Sequence, residues 1–265
     1  MKSGIPILVN LNTLSEHLKG QIKYFEREDR SRSKFNLEAW QKSYVKRFEK
    51  NFSPKEGEIL IDIGTGSGYM AIEVAKRGLK VIACDLTLKE LIKLKNVVQR
   101  EHLENNLFLT CCSAEYLPFK SGIANYLVSN AVLEHLPKEK KAISEISRVC
   151  KEKSGLMIAV PLKLRCVWPF FWPVNIIHDK RIGHLRRYDY KDLKNKFEKY
   201  GFKIKRAFYT GHLIKVLGVL ATTIFKIRAS GFDRLLENID QKRENKKYGA
   251  SNICAIYFRT SARLR

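Results

Sequence analysis

The chain of 265 residues predicts an α/β fold, a doubly wound and mostly parallel sheet with helices on both faces. Three observations carry that prediction. From residue 59 to residue 160, short apolar runs of strand length alternate with segments of helical spacing, the order that builds parallel βαβ units. The first run, Ile59-Leu60-Ile61-Asp62-Ile63, passes directly into Gly64-Thr65-Gly66-Ser67-Gly68. Glycines there let the backbone turn with positive φ and leave it open to a ligand at a helix N-terminus. The second run, Leu79 to Cys84, closes on Asp85, 21 residues after Gly64, where a carboxylate can accept hydrogen bonds from both hydroxyls of a ribose.

The elements follow in order. Residues 1–50 form a helical N-terminal cap in at least two pieces. Asn36 is placed to cap a helix from Leu37 towards Lys50, with Trp40, Tyr44, Val45 and Phe48 on one face. The charge-rich segment Glu26 to Lys34 lies upstream. Residues 51–265 form the main domain, with a cofactor half at 57–160 and a substrate-side half with insertions at 161–265. Pro54 and Gly57 punctuate the entry to the first strand. Met70 to Arg77 has helical spacing, and Leu88 to His102 is amphipathic with Leu91, Ile92, Leu94, Val97 and Val98 inward. Leu107–Cys111 and Ala124–Ser129 are the third and fourth strands. A helix from Lys138 to Lys151 buries Ala142, Ile143, Ile146 and Val149, and Gly155 opens a fifth strand, Leu156 to Val160, ended by Pro161. The order is then less regular: a helix from Tyr190 to Tyr200, a strand from Phe202 to Thr210, an insertion, and a seventh strand from Asn252 to Thr260. Arg234 to Lys247 reads as a solvated helix or loop.

The glycine loop distinguishes two cofactor classes. A dinucleotide asks for Gly-x-Gly-x-x-Gly, because the helix dipole faces a pyrophosphate. Here the spacing is Gly-x-Gly-x-Gly, and Asp62 stands two residues before Gly64. An acid repels phosphate and suits a cofactor carrying an ammonium and a sulfonium. S-adenosylmethionine is the better fit.

The chain resembles the class I S-adenosylmethionine-dependent methyltransferases, and among them the large type 11 group. The matching residues are the Asp62–Gly68 loop, Asp85, Ser113-Ala114-Glu115-Tyr116-Leu117-Pro118-Phe119, and Ser129-Asn130-Ala131-Val132-Leu133-Glu134-His135-Leu136-Pro137. In order they cover about residues 37 to 210. The resemblance implies a Rossmann-like methyltransferase sheet of seven strands with the last one antiparallel. It also implies a helical lid over the cofactor, and cofactor contacts from Asp62, Gly64, Thr65, Gly66, Gly68, Asp85, Leu86, Ser113, Ala114, Glu115, Asn130 and Ala131. Two positions depart from the group: Ser113 replaces the aspartate expected against the adenine, and Asn125 replaces an aspartate that commonly begins the fourth strand.

Composition narrows the setting. Hydrophobic residues make up 45% and aromatics 11%, a globular balance rather than a disordered one. No cleavable signal is visible, since the Ile5–Leu11 run is broken by Pro6 and Asn10. The six cysteines show no Cys-x-x-Cys spacing and fall in apolar runs. This predicts reduced core thiols in a cytoplasmic protein and no metal site. Net charge is +23, unevenly spread: residues 58–160 hold 14 basic and 12 acidic groups, residues 161–265 hold 24 and 8. A basic substrate half favours an anionic partner: a phosphorylated substrate, nucleic acid, or the acidic inner face of a membrane.

Three C-terminal features bear on the acceptor. Cys166 to Ile177 carries no charge and includes Trp168 and Trp172. It is too short and too proline-interrupted to span a bilayer, and it can line an apolar pocket, lie at a membrane interface or pack on the core. His184-Leu185-Arg186-Arg187-Tyr188 resembles a type 11 motif, and its paired guanidinium groups suit bidentate recognition of phosphate or carboxylate. Leu213 to Ile227 forms a largely apolar helix of about 22 Å, short of a span. It is open to three readings: interfacial, with Lys215, Lys226 and Arg228 reaching headgroups, buried, or a dimer contact.

Methyl transfer is a direct displacement in which the protein mainly aligns acceptor, methyl carbon and sulfur. An oxygen acceptor also needs a base, and His135, just after the fourth strand, is the candidate. Glu134-His135-Leu136-Pro137 resembles the Glu-His-x-Pro of quinone-pathway O-methyltransferases. The sequence thus predicts O-methylation of a small-molecule or lipid-linked acceptor, with substrate contacts from Trp168, Trp172, His184, Arg186, Arg187 and Tyr188. RNA methylation through the basic half and non-catalytic binding of S-adenosylmethionine are the alternatives.

Overall fold

The computed structural model describes residues 4–27, 37–218 and 230–260. Seven strands form one sheet in the order β3-β2-β1-β4-β5-β7-β6: β1 Ile59–Ile63, β2 Lys80–Asp85, β3 Leu107–Cys111, β4 Ala124–Asn130, β5 Cys150–Pro161, β6 Phe202–Thr210 and β7 Asn252–Arg259. Strands β3, β2, β1, β4 and β5 pair in parallel, and β7 runs antiparallel to both β5 and β6. The expected seven-stranded sheet with an antiparallel last strand is the one observed.

Side-chain alternation along the strands feeds two cores, one per face. From β1 and β5, Ile61, Ile63, Leu156 and Ile158 pack with Ala142, Ile143, Leu193 and Phe197. These last four come from helices α5 (Glu139–Val149) and α7 (Tyr190–Glu198). The alternate residues Leu60, Val81, Val128 and Met157 pack with Phe48, Met70, Ile72 and Leu94, from α2 (Ala39–Phe52), α3 (Tyr69–Ala75) and α4 (Leu88–Arg100). The chain leaves β1 for β2 and β3 on one side, then crosses to β4 on the other. This puts a topological switch point between β1 and β4, at whose carboxyl ends an open α/β sheet binds ligands.

Several boundaries differ from the sequence reading. Asn36 lies outside the described residues, and the N-cap of helix α2 is Glu38. Its side chain and that of Gln41 form a reciprocal capping box. Strand β5 begins at Cys150 rather than Gly155, because Cys150 pairs with Ala124 before a register shift leads to Tyr126↔Gly155. Helix α5 accordingly stops at Val149. The amino-terminal Ile5–Leu8 stretch extends the sheet edge: Ile7 bridges Cys111 in parallel, with Leu8 N donating to the Cys111 carbonyl at 2.8 Å. Asn125 sits at the amino end of β4, where its Oδ1 accepts from Ile59 N and Lys151 Nζ, so its departure from aspartate is remote from the switch point.

The C-terminal helix Ser230–Gln241 is not the solvated segment expected. Glu237 and Asp240 are buried. Asp240 accepts from Gly211 N, His212 N and the His212 ring, and Lys215 Nζ donates to Glu237 at 2.6 Å. Lys215 is therefore bound within the protein rather than extended towards headgroups. Helix continues from residue 213 to 218, and the rest of the predicted Leu213–Ile227 helix, with Lys226 and Arg228, lies outside the described residues. All six cysteines are buried and unpaired. Among the described residues, no helix is long and apolar enough to cross a membrane.

Candidate active site

A cavity of about 700 Å³ opens at the carboxyl ends of β1, β2 and β4. Its floor is the glycine loop. Thr65 N donates to the Cys84 carbonyl at 2.9 Å and Gly68 N to the Thr65 carbonyl at 2.8 Å, which folds the loop back onto β2. Gly64 and Gly68 are both at positive φ, and a Cβ would meet Val132 at 2.3 Å and Leu94 at 2.4 Å respectively. Gly66, at φ +50, faces open space, so its missing side chain leaves room rather than avoiding a clash. Helix α3 starts at Gly68 with no side-chain cap.

A buried carboxylate, Asp62, and a half-buried one, Asp85, flank this loop. Asp62 accepts from the Thr65 hydroxyl at 2.7 Å. Burial pushes its pKa up to about 7, against the lowering effect of that hydroxyl. Asp85 accepts from Gly66 N at 2.9 Å and from Thr87 N at 2.8 Å, and burial raises its pKa as well. A carboxylate has about four acceptor positions, so Asp85 keeps capacity for ligand hydroxyls. Two acids whose pKa values are raised by burial in one cleft form an environment that a cationic ligand stabilises.

Of the predicted cofactor residues, Asp62, Gly64, Thr65, Gly66, Asp85, Leu86, Ser113, Ala114, Asn130 and Ala131 line the cavity. Gly68 lies beneath it as the start of α3. Glu115 does not line it: its Oε1 accepts from Lys138 N at 2.7 Å and ties the loop after β3 to the start of α5. Ser113 accepts from Glu115 N. Ala131 holds φ +55 without being glycine, the kind of local strain that gathers at functional sites.

Helix α1 (Glu16–Arg27) forms the opposite wall through Leu18, Gln21, Ile22, Tyr24 and Phe25. The remaining end is a polar corner made by the 3₁₀ turn Leu133–His135 and the segment after α6 (Trp172–Ile182). Glu134 is fully buried, and neither carboxyl oxygen has a hydrogen-bond partner. Burial pushes its pKa up to about 8. His135 Nδ1 is buried without a partner, and its ring lies 4.7 Å from that of His184 and 5.9 Å from that of Phe25. Burial, then the His184 ring, lowers its pKa to about 4, so the imidazole is neutral across the physiological range. His184 Nδ1 lies 2.7 Å from Asp179 Oδ1, and Nε2 lies 3.7 Å from Glu134 Oε1.

The other predicted substrate residues are placed differently. Arg186 donates to the carbonyls of Leu133 and Leu136. Arg187 is held by Asp179, Asn175 and the Leu162 carbonyl. Instead of presenting a free anion clamp, Arg186 braces the turn that carries His135, and Arg187 fastens α6 to the chain at Leu162. Tyr188 is buried and its backbone bridges Leu162. Trp168 and Trp172 lie outside both cavities: the Trp172 indole donates to the Val167 carbonyl, and Trp168, Phe170, Val174 and Ile177 are exposed. Sequence reasoning missed Asp179, His178 and the α1 side chains, whose signals are single residues without a motif. A second cavity of about 450 Å³ adjoins the first, sharing Trp40, Asn130, Ala131 and Asn252 and continuing to Thr210, Lys215 and Val216.

Residues 61–158 match the family model described as methyltransferase domain. Among curated proteins, the biotin biosynthesis bifunctional protein BioHC of Cellvibrio japonicus is 29% identical over 92 residues, 35% of this chain and 17% of that protein. The ribosomal protein L11 methyltransferase of Thermotoga neapolitana is 31% identical over 107 residues, 40% and 38% of the two chains. The matched stretches thus span well under half of these relatives' lengths. Among solved structures, geranyl diphosphate C-methyltransferase from Streptomyces coelicolor A3(2), in complex with Mg²⁺, geranyl diphosphate and S-adenosylhomocysteine, superposes with a TM-score of 0.67. It is 13% identical, and the alignment covers 93% of this chain and 98% of that one. Phosphoethanolamine N-methyltransferase 2 of Haemonchus contortus, with S-adenosylhomocysteine, gives 0.60 at 17% identity, covering 83% and 53%. Identities this low speak to the fold.

Proposed function

We propose that the chain, whose residues 61–158 match a methyltransferase domain, is a class I S-adenosylmethionine-dependent methyltransferase that transfers the cofactor's methyl group to an oxygen of a small-molecule or lipid-linked acceptor. The observation that carries this reading is the cavity's two-ended construction. One end has the Gly64–Gly68 loop with Asp62 and Asp85, suited to an amino-acid ammonium and a ribose. The other end has His135 and His184 under the α1 wall. A volume of about 700 Å³ falls within the roughly 300–1,000 Å³ of small-molecule sites, which supports a cofactor with one modest acceptor group rather than a folded macromolecule.

In this reading Asp62 meets the cofactor ammonium, Asp85 the ribose hydroxyls, and Ser113 and Ala114 the adenine side. S-adenosylmethionine supplies an activated methyl group. The protein holds acceptor and methyl carbon in line and keeps water out with Leu18, Ile22 and Phe25. The neutral imidazole of His135 faces the acceptor. The adjoining 450 Å³ cavity gives an elongated or lipid-linked acceptor somewhere to lie. The exposed Trp168, Phe170 and Ile177, beside the basic Lys180 and Arg181 at the end of α6, support peripheral contact with an acidic membrane surface. RNA methylation remains the second reading, on the basic balance of residues 161–265 alone.

Radiolabelled methyl transfer from S-adenosylmethionine into fractionated lipid, small-molecule and RNA extracts tests this. Label in an alkali-stable ether of the lipid or small-molecule fraction is the expected result. Label in RNA alone would overturn the acceptor assignment.

A further inference from the structure

The geometry points to a divalent transition-metal site at the acceptor end of the cavity, formed by Glu134, His135 and His184. Three features place it there. Each residue offers one ligand atom, and the three atoms lie within 4.8 Å of one another. The donor set is unsatisfied as it stands: both Glu134 oxygens and His135 Nδ1 are buried without a hydrogen-bond partner, an arrangement that is costly unless something fills it. The third feature is the hydrogen bond from the His184 ring to Asp179. A carboxylate on one imidazole nitrogen fixes the tautomer and leaves the other nitrogen to ligate, and here that other nitrogen, Nε2, is the one directed at Glu134. Asp179 is itself held by Arg187, so the orienting group is anchored. Arg187 acquires a purpose here that anion recognition did not give it.

Two imidazoles and a carboxylate with the remaining side open is the donor set of three-ligand zinc and related first-row sites. Bond lengths of about 2.0–2.2 Å place tetrahedral donors about 3.3–3.6 Å apart, so ligand atoms that now lie within 4.8 Å of one another close by at most about 1.5 Å on binding. Two neighbouring imidazoles, His178 and His17, sit behind the cluster. The His178 ring centroid is 6.1 Å from that of His184, and His17 Nε2 is buried without a partner. Hard cations such as Mg²⁺ prefer all-oxygen shells and do not fit. The sequence reading expected no metal because it looked to cysteine spacing, whereas these ligands are contributed by a 3₁₀ turn and by a residue 49 positions later.

The consequence for chemistry rests on the methyl-transfer reading. An acceptor hydroxyl on the open side of the ion loses its proton to solvent. The resulting oxygen forms its bond to the methyl carbon as the carbon–sulfur bond breaks, and the sulfonium leaves as a neutral thioether. His135 is then a ligand, and the ion supplies the acidity that a weakly basic imidazole lacks.

The test uses the full chain, dialysed against a chelator and titrated with Zn²⁺ and Co²⁺ by calorimetry, with visible absorption following Co²⁺. We expect one ion per chain, and a loss of at least tenfold in affinity in Glu134→Gln and in His184→Gln. His102→Gln, an exposed position, should bind as wild type. Circular dichroism shows whether each variant is folded. In wild type alone, paramagnetic shifts from Co²⁺ on two histidine rings give a readout that needs no variant. Absence of stoichiometric binding, or binding unchanged in both ligand variants, overturns the site. Ion binding without S-adenosylhomocysteine binding would keep the site and remove the methyl-transfer reading.

Discussion

Asp62 offers the sharpest quantitative prediction. Its pKa in the free protein is raised to about 7 by burial, from a usual value near 3.9. A cofactor ammonium favours the ionised form, so binding must expel a proton wherever Asp62 starts protonated. Affinity therefore falls as pH drops through 7. At pH 5 roughly 1% of the free protein has Asp62 ionised, so the dissociation constant for S-adenosylhomocysteine should rise about 100-fold between pH 8 and pH 5, or about 2.7 kcal/mol. The stability sign is the reverse for the free protein. A raised carboxylate pKa contributes stability that is complete below the unfolded value and is lost as pH rises through 7, so the thermal shift given by the ligand should be larger at pH 8 than at pH 5. Asp62→Asn should bind about 10–100-fold more weakly at pH 8, for loss of a charge-assisted hydrogen bond of roughly 1.5–3 kcal/mol. Its pH dependence around 7 should flatten. Calorimetric titration from pH 5 to 8 measures both. A wild-type constant independent of pH, or an asparagine variant with the same slope, would refute the assignment of Asp62 to the cofactor's cation.

Further outcomes follow from the packing. Gly64→Ala puts a Cβ against Val132 at a backbone φ of +67, and should lower stability by roughly 1–3 kcal/mol with cofactor affinity reduced in parallel, read by thermal unfolding with and without S-adenosylhomocysteine. Arg187→Lys loses the bidentate hold on Asp179 and the Leu162 carbonyl contact. It should lower the melting temperature and weaken Co²⁺ binding in calorimetric titration, because the hold on Asp179 and through it on His184 is loosened, whereas an Arg187 that served only to bind an anion would leave Co²⁺ affinity unchanged. Asp240, lowered to about 2 by its His212 and Lys215 partners against its burial, contributes stability that is present above pH 4 and lost as pH falls through 2. That amounts to about 2 kcal/mol. Asp240→Asn should remove this acid-side loss in urea unfolding at pH 2–5 and cost a similar amount at pH 7.

What was legible in the sequence was chemistry carried by neighbours in the chain. The strand, three glycines and Asp62 are contiguous, so the turn and its acid could be read together. Asp85 needed only one further strand. The polar corner was different. His135 could be found because it follows β4, but its relation to His184, and through that ring to Asp179, depends on how the segment after α6 folds back onto the Leu133–His135 turn. Arg186 and Arg187 misled for the same reason: Arg186 donates to the carbonyls of Leu133 and Leu136, and Arg187 to Asp179, Asn175 and the Leu162 carbonyl, partners that only the fold brings together. Glu237 and Asp240 looked solvated because charged and polar residues dominate Arg234 to Lys247, whereas in the fold they meet His212 and Lys215. The Ile5–Leu8 edge pairing was illegible because a four-residue run with a proline carries no periodicity.

The central claim is that the Gly64–Gly68 loop and Asp85 form a cradle for the adenosyl cofactor. The most direct test is calorimetric titration of the full chain at pH 8 with S-adenosylhomocysteine, beside NAD, in wild type and in Asp85→Ala. The account predicts one bound S-adenosylhomocysteine per chain at micromolar concentration, no heat with NAD, and binding weakened at least tenfold in the variant. Binding of NAD instead, or an Asp85→Ala protein that binds S-adenosylhomocysteine as tightly as wild type, would contradict it.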